Sequence, residues 1–85
     1  MTNTQLLMDL ISTTKSVITA ISNQHDEDAQ CYLDNLEVLT MWLKNKTLKK
    51  IAEDASHQYA EGEDQFAIRH LKHLSASADR LIGRI

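Results

Sequence analysis

A chain of 85 residues with no proline and only two glycines, Gly62 and Gly83, has few ways to turn tightly. Hairpin turns between strands and phosphate-cradling loops both draw on glycine for backbone angles that other residues resist. Apolar residues instead recur at steps of three and four almost from end to end, the period of a helix with one buried face. The chain therefore reads as all-α, a small antiparallel bundle of three to four helices forming one domain over residues 1–85.

Size limits what such a bundle can do alone. Chains of this length bury roughly 60–65% of their unfolded surface, which makes a thin core. Small helical domains often add a disulfide, a metal ion or a second subunit. Cys31 is the sole cysteine, so no internal disulfide is available and association is the expected supplement. A single cysteine also fits a reducing compartment. The N-terminal segment has no basic stretch, and Asp9 and Lys15 interrupt its apolar residues. No apolar run is long enough to span a bilayer, so the expectation is a cytoplasmic protein with no membrane partner.

The net charge of −3 is unevenly distributed. Residues 1–43 set Asp9, Asp26, Glu27, Asp28, Asp34 and Glu37 against Lys15 alone. Lys44, Lys46, Lys49 and Lys50 then follow in a cluster, and the remainder is mildly acidic. An acidic chain with one basic segment is not a typical DNA coat.

The first helix is expected from Asn3 or Thr4 to Ser22, with Leu7, Ile11, Thr14, Ile18 and Ile21 as its stripe, widened by Leu6, Leu10 and Val17. Ser12, Thr13, Ser16 and Thr19 supply its polar face. Asn23–Asp28 breaks the pattern, with Asp26 or Asp28 suited to cap the next helix and His25 in solvent. The second helix, about Glu27 to Lys44, carries Ala29, Tyr32, Leu36, Leu39 and Leu43 with Leu33 beside them. Opposite lies a second apolar row of Cys31, Val38, Met41 and Trp42. A helix apolar around most of its girth is either enclosed by its neighbours or exposed for a partner.

Thr47 is a candidate cap for a third helix with Leu48, Ile51, Ala52, Ala55 and Tyr59 on one face. No Pro or Gly marks that break, so one long helix in place of the second and third remains open. Gly62 suits a helix C-terminus and Asp64 the cap of the last helix, which runs from about Gln65 to the end. Its stripe is Ala67, Leu71, Leu74, Ala78, Leu81 and Ile85, flanked by Ile68 and Ile82.

No catalytic or cofactor site is expected. His70 and His73 are three apart, with His57 or Glu61 as further ligands, but zinc needs three or four convergent ligands, so no metal is expected. Cys31 lies on an apolar row with no basic neighbour in sequence, which suits a packed or interface thiol rather than a nucleophile. Ser75 and Ser77 lack an oxyanion nest, and no two acids share an apolar pocket. Arg69, Lys72, His73, Arg80 and Arg84 share about a third of the last helix's circumference. They form either its solvated back, a surface for phosphates or an acidic partner, or a set of partners for the acids of residues 26–37.

The string Thr47-Leu-Lys-Lys-Ile-Ala-Glu-Asp-Ala, followed by Ile68-Arg-His-Leu-Lys-His-Leu74, resembles the two helices of helix-turn-helix regulators. The resemblance implies that the first helix positions the second in a DNA major groove, with Arg69, Lys72 and His73 facing the duplex. The connection from Ser56 to Asp64 is longer than that family's tight turn, and its Glu61, Glu63 and Asp64 would lie near phosphates. Two functions are thus in view. One is a non-enzymatic interaction module that packs Cys31, Val38, Met41 and Trp42 against another protein or a second copy of itself, as adaptor, chaperone-like partner or inhibitor. The alternative is a small DNA-binding regulator using residues 47–80.

Overall fold

The computed structural model describes residues 2–83. Among them four helices follow one another: α1 (Asn3–Ser22), α2 (Asp26–Leu43), α3 (Lys46–Ala60) and α4 (Asp64–Gly83). Connections this short force each helix to reverse along its predecessor. α1 packs on α2 and α4, and α3 packs on α4 and α2, giving an antiparallel bundle of 35 × 19 × 18 Å. α2 and α4 therefore occupy diagonally opposite corners. No described helix is long and apolar enough to cross a membrane.

The turns are made with less glycine than such turns usually employ. After α1, Gln24 takes a left-handed conformation at φ 59°, and the His25 and Gln24 N–H groups donate to the carbonyls of Ala20 and Ile21. After α3, Gly62 takes φ 80°, and the Glu63 and Gly62 N–H groups donate to Gln58 and Tyr59 in the same pattern. These bonds satisfy carbonyls that a helix end would otherwise leave open. Lys44, left-handed at φ 54°, separates α2 from α3, so the two are not one helix.

The caps differ from expectation. Asn45, not Thr47, caps α3, its Oδ1 accepting from the Leu48 N–H at 3.0 Å. Neither Asp26 nor Asp28 caps α2: both lie inside its first turn, where their charge suits the helix dipole. α4 begins at Asp64, one residue before the expected Gln65.

The core is continuous. Its deepest side chains include Leu10 and Val17 from α1, Leu33 and Leu36 from α2, Leu48 from α3, and Leu71 and Leu74 from α4. In α1 the inward stripe is Leu7, Leu10, Thr14, Val17 and Ile21. Ile11 and Ile18, expected at its centre, are only partly buried. The stripes of α3 and α4 hold, with Leu81 and Tyr59 at their margins, whereas Ile85 lies outside the described residues. Two hydroxyls are fully buried. Thr14 donates to the Leu10 carbonyl at 2.6 Å and Thr40 to the Glu37 carbonyl at 3.0 Å, so neither is left unpaired.

Candidate interaction face

α2 has two neighbours, α1 and α3, and too many apolar residues for both. Ala29, Leu33, Leu36 and Thr40 are buried in the bundle, while Tyr32, Leu39 and Leu43 are partly buried at its edge. The second apolar row has nothing to pack on. Val38 is 39% exposed, Met41 55% and Trp42 56%, and Cys31 is exposed as well. These four positions span about 100° of the helix circumference. The enclosed alternative for α2 is thereby set aside. The other large exposed apolar residues, Met8 on α1 and Phe66 on α4, belong to other helices.

Val38 and Trp42 do more than project. With Asn35 and Leu39 they line one wall of an open groove of about 300 Å³, whose other wall is Asp9, Ser12 and Thr13 of α1. The polar face expected for α1 thus borders the exposed apolar row instead of standing alone. Nothing in sequence spacing links Asp9, Ser12 and Thr13 to Val38 and Trp42, so pattern reading missed the groove.

The electrostatics of α2 run along its length. Asp26, Glu27 and Asp28 open the helix, Asp34 and Glu37 follow, and Lys44 and Lys46 stand at its far end. The ion pairs among the described residues all lie within α3 or at its end: Lys49–Glu53, Lys50–Asp54 and His57–Glu61. The acids of α2 are therefore not neutralised by neighbours. Asp34 accepts from the Gln30 amide at 3.1 Å, and Asp26 accepts from the Tyr59 hydroxyl at 2.7 Å. Desolvation, reinforced by that bond and the Asp26 charge, pushes the Tyr59 phenol up to about 12. This contact between residues 33 apart is another feature that sequence spacing could not reveal.

The basic face of α4 points elsewhere. Arg69, Lys72, His73 and Arg80 are all exposed, and Arg84 lies outside the described residues. Arg69 sits over the Phe66 ring at 5.4 Å from its centroid, and Arg80 donates to the Ser77 hydroxyl at 3.3 Å. Pairing of these bases with the acids of residues 26–37 does not occur, because α2 and α4 are diagonal in the bundle. His70 is half-buried, His73 is exposed, and His57 is paired with Glu61. Among the described residues no group of three or more His, Cys, Asp or Glu side chains is arranged to hold a metal.

Fold and face together define a class: a small antiparallel four-helix bundle with one apolar helix face left uncovered. Comparison with protein-family models, with curated proteins and with solved structures found no match.

Proposed function

We propose that this protein is a non-enzymatic helical interaction module whose binding surface is the outward face of α2. The observation that carries the reading is the exposure of Val38, Met41 and Trp42 along one helix of a bundle that buries its remaining apolar stripes well. Tryptophan and methionine are enriched at interface cores, and tryptophan is a frequent hot spot. The partner packs a helix along Val38, Met41 and Trp42, and the charged rims set its orientation.

The test is capture from native lysate with full-length wild-type bait and with Trp42→Asp bait shown by circular dichroism to be folded. A protein retained by wild type and lost with Trp42→Asp supports the reading. Equal retention of every protein by both baits removes it.

A second reading has its own support. The α4 cations Arg69, Lys72, His73 and Arg80 share one exposed face and make no ion pair among the described residues. A duplex would then lie along the side of α4 as phosphate contacts, since α3 and α4 form a hairpin of antiparallel neighbours with Glu61, Glu63 and Asp64 at its turn. Duplex affinity that falls steeply with added salt and drops on Arg69→Ala supports this reading. Salt-insensitive or absent binding ends it.

A further inference from the structure

Resting on the reading of α2 as the binding face, we infer that its occupant is a second copy of this chain, docked with the two α2 helices antiparallel and the two-fold axis beside Val38. Three features point there. The first is shape. The row Cys31, Val38, Met41 and Trp42 runs along a helix at the corner of an elongated bundle, open to an identical helix. A two-fold pairing of such a face is self-complementary and closes.

The second is charge order. α2 carries Glu27, Asp28, Asp34 and Glu37 ahead of Trp42, and Lys44 and Lys46 after it. A parallel pairing sets acids against acids and lysines against lysines. The antiparallel pairing sets the acidic half of one copy against the basic end of the other. With the axis beside Val38, Lys44 of one copy stands about 3 Å along the helix direction from Asp34 of the second copy. Asp34 and the cap residue Lys44 also lie on the same side of Val38, the side that carries Met41. The helix dipoles oppose as well.

The third is what the competing self-docking would do. The exposed basic face of α4, Arg69–Arg80, lies at the diagonal corner. Docking α2 of one copy on α4 of the next joins unlike faces and propagates without closing. That face meets Val38, Met41 and Trp42 with one exposed apolar residue, Phe66, which already lies under the Arg69 guanidinium, whereas α2 offers three of its own. A seam one helix long falls below the standard interface of about 800 Å² per partner, so the dimer is weak and concentration-dependent.

The test uses the full chain in sedimentation equilibrium from about 1 to 500 µM, together with air-oxidised cross-linking. Wild type is expected to dimerise reversibly, and Trp42→Asp, outside the core, to raise Kd at least about 30-fold. Asp34→Lys weakens the dimer, and the double variant Asp34→Lys with Lys44→Asp restores it, because the pair is rebuilt across the seam. Orientation is read from disulfides. In the antiparallel pair the two Cys31 residues are about 21 Å apart along the helices, far beyond disulfide reach. Val38→Cys in a Cys31→Ser background lies at the axis and cross-links readily.

A folded wild type that stays monomeric to 500 µM overturns the inference, as does a dimer indifferent to Trp42→Asp. Cross-linking of native Cys31 as fast as that of the cysteine at position 38 overturns the antiparallel order. If wild type is monomeric and the lysate capture still yields a protein lost with Trp42→Asp, the second copy is excluded while the binding face stands. If neither dimer nor captured protein depends on Trp42, both readings fall.

Discussion

α3 and α2 are neighbours of similar length, and their outward faces are finished in opposite ways. α3 closes its own surface. Lys49 reaches Glu53, Lys50 reaches Asp54 at 2.8 Å, and His57 reaches Glu61 at 3.1 Å, each four residues along the same helix. Its Lys50–Asp54 hydrogen bond holds the lysine above and the carboxyl below their ordinary values. α2 has no such ion pair. Its outward face offers Val38, Met41 and Trp42 beside acids whose partners are Gln30 and Tyr59. The outward face of α3 completes its charges locally, and that of α2 keeps unmatched charge beside exposed apolar surface.

The largest expected effect separates the two faces of α2 itself. Leu36 is fully buried, so Leu36→Ala should lower unfolding free energy by about 2–5 kcal/mol through lost transfer and cavity formation. Trp42→Ala, measured by urea unfolding at low micromolar concentration, should change it by about 0.5 kcal/mol or less. A large loss from Trp42→Ala under those conditions would mean that the row supports the monomer, and the contrast between faces would collapse.

The next effect concerns the seam between the two helices. Tyr59→Phe removes the hydroxyl bond from α3 to α2 and should cost about 1 kcal/mol or less, since the bond lies at the exposed edge of the bundle. Its pH dependence has a defined sign. The phenol titrates higher in the folded chain than the unfolded value of 10.0, so its contribution is complete below pH 10.0. That contribution is lost as pH rises toward about 12. Thermal melts between those pH values should fall less steeply for Tyr59→Phe than for wild type.

The turns come next. Gln24 sits at φ 59°, a left-handed conformation that glycine adopts without strain. Gln24→Gly should therefore raise stability by about 0.5–1 kcal/mol in denaturant titrations. A destabilisation would mean that unfolded-chain entropy outweighs the relief of strain there.

The smallest effect sharpens the description of α3 as a self-completed surface. Asp54→Asn should give a slight decrease in melting temperature at low salt and none at 1 M salt, where exposed pairs are screened. The depressed Asp54 carboxyl supports the fold above its ordinary value of 3.8 and ceases to do so as pH falls below it. The wild-type and Asp54→Asn melts should therefore converge in acid.

The sequence by itself determined the all-α class, the ends of the first and last helices among the described residues to within a residue or two, and the inward stripes of α3 and α4; the break between α2 and α3 it left open. Each of those stripes occupies one side of its helix, with charges opposite, so only one rotation about the axis buries the apolar side. It also singled out Cys31, Val38, Met41 and Trp42 as a row apart from the core of α2. Two of the three left-handed turn positions were illegible, because Gln24 and Lys44 adopt an angle that ordinarily announces itself as glycine.

Tertiary structure alone decided the rest. α1 is apolar over so wide an arc that its spacing points to Ile11 with Ile18 as the centre while Leu10 with Val17 stand beside them. The positions of α2 and α4 chose Leu10 with Val17. In the same way α2 had two apolar rows and room beside it for only two neighbours, and the side facing α1 and α3 became the core. The groove shared with Asp9, Ser12 and Thr13, the Tyr59–Asp26 bond and the diagonal separation of acidic α2 from basic α4 all arise from which helix stands beside which. Helical periodicity records how residues are arranged around an axis. It carries no information on what lies against that axis, because burial is set by long-range packing and not by the local repeat.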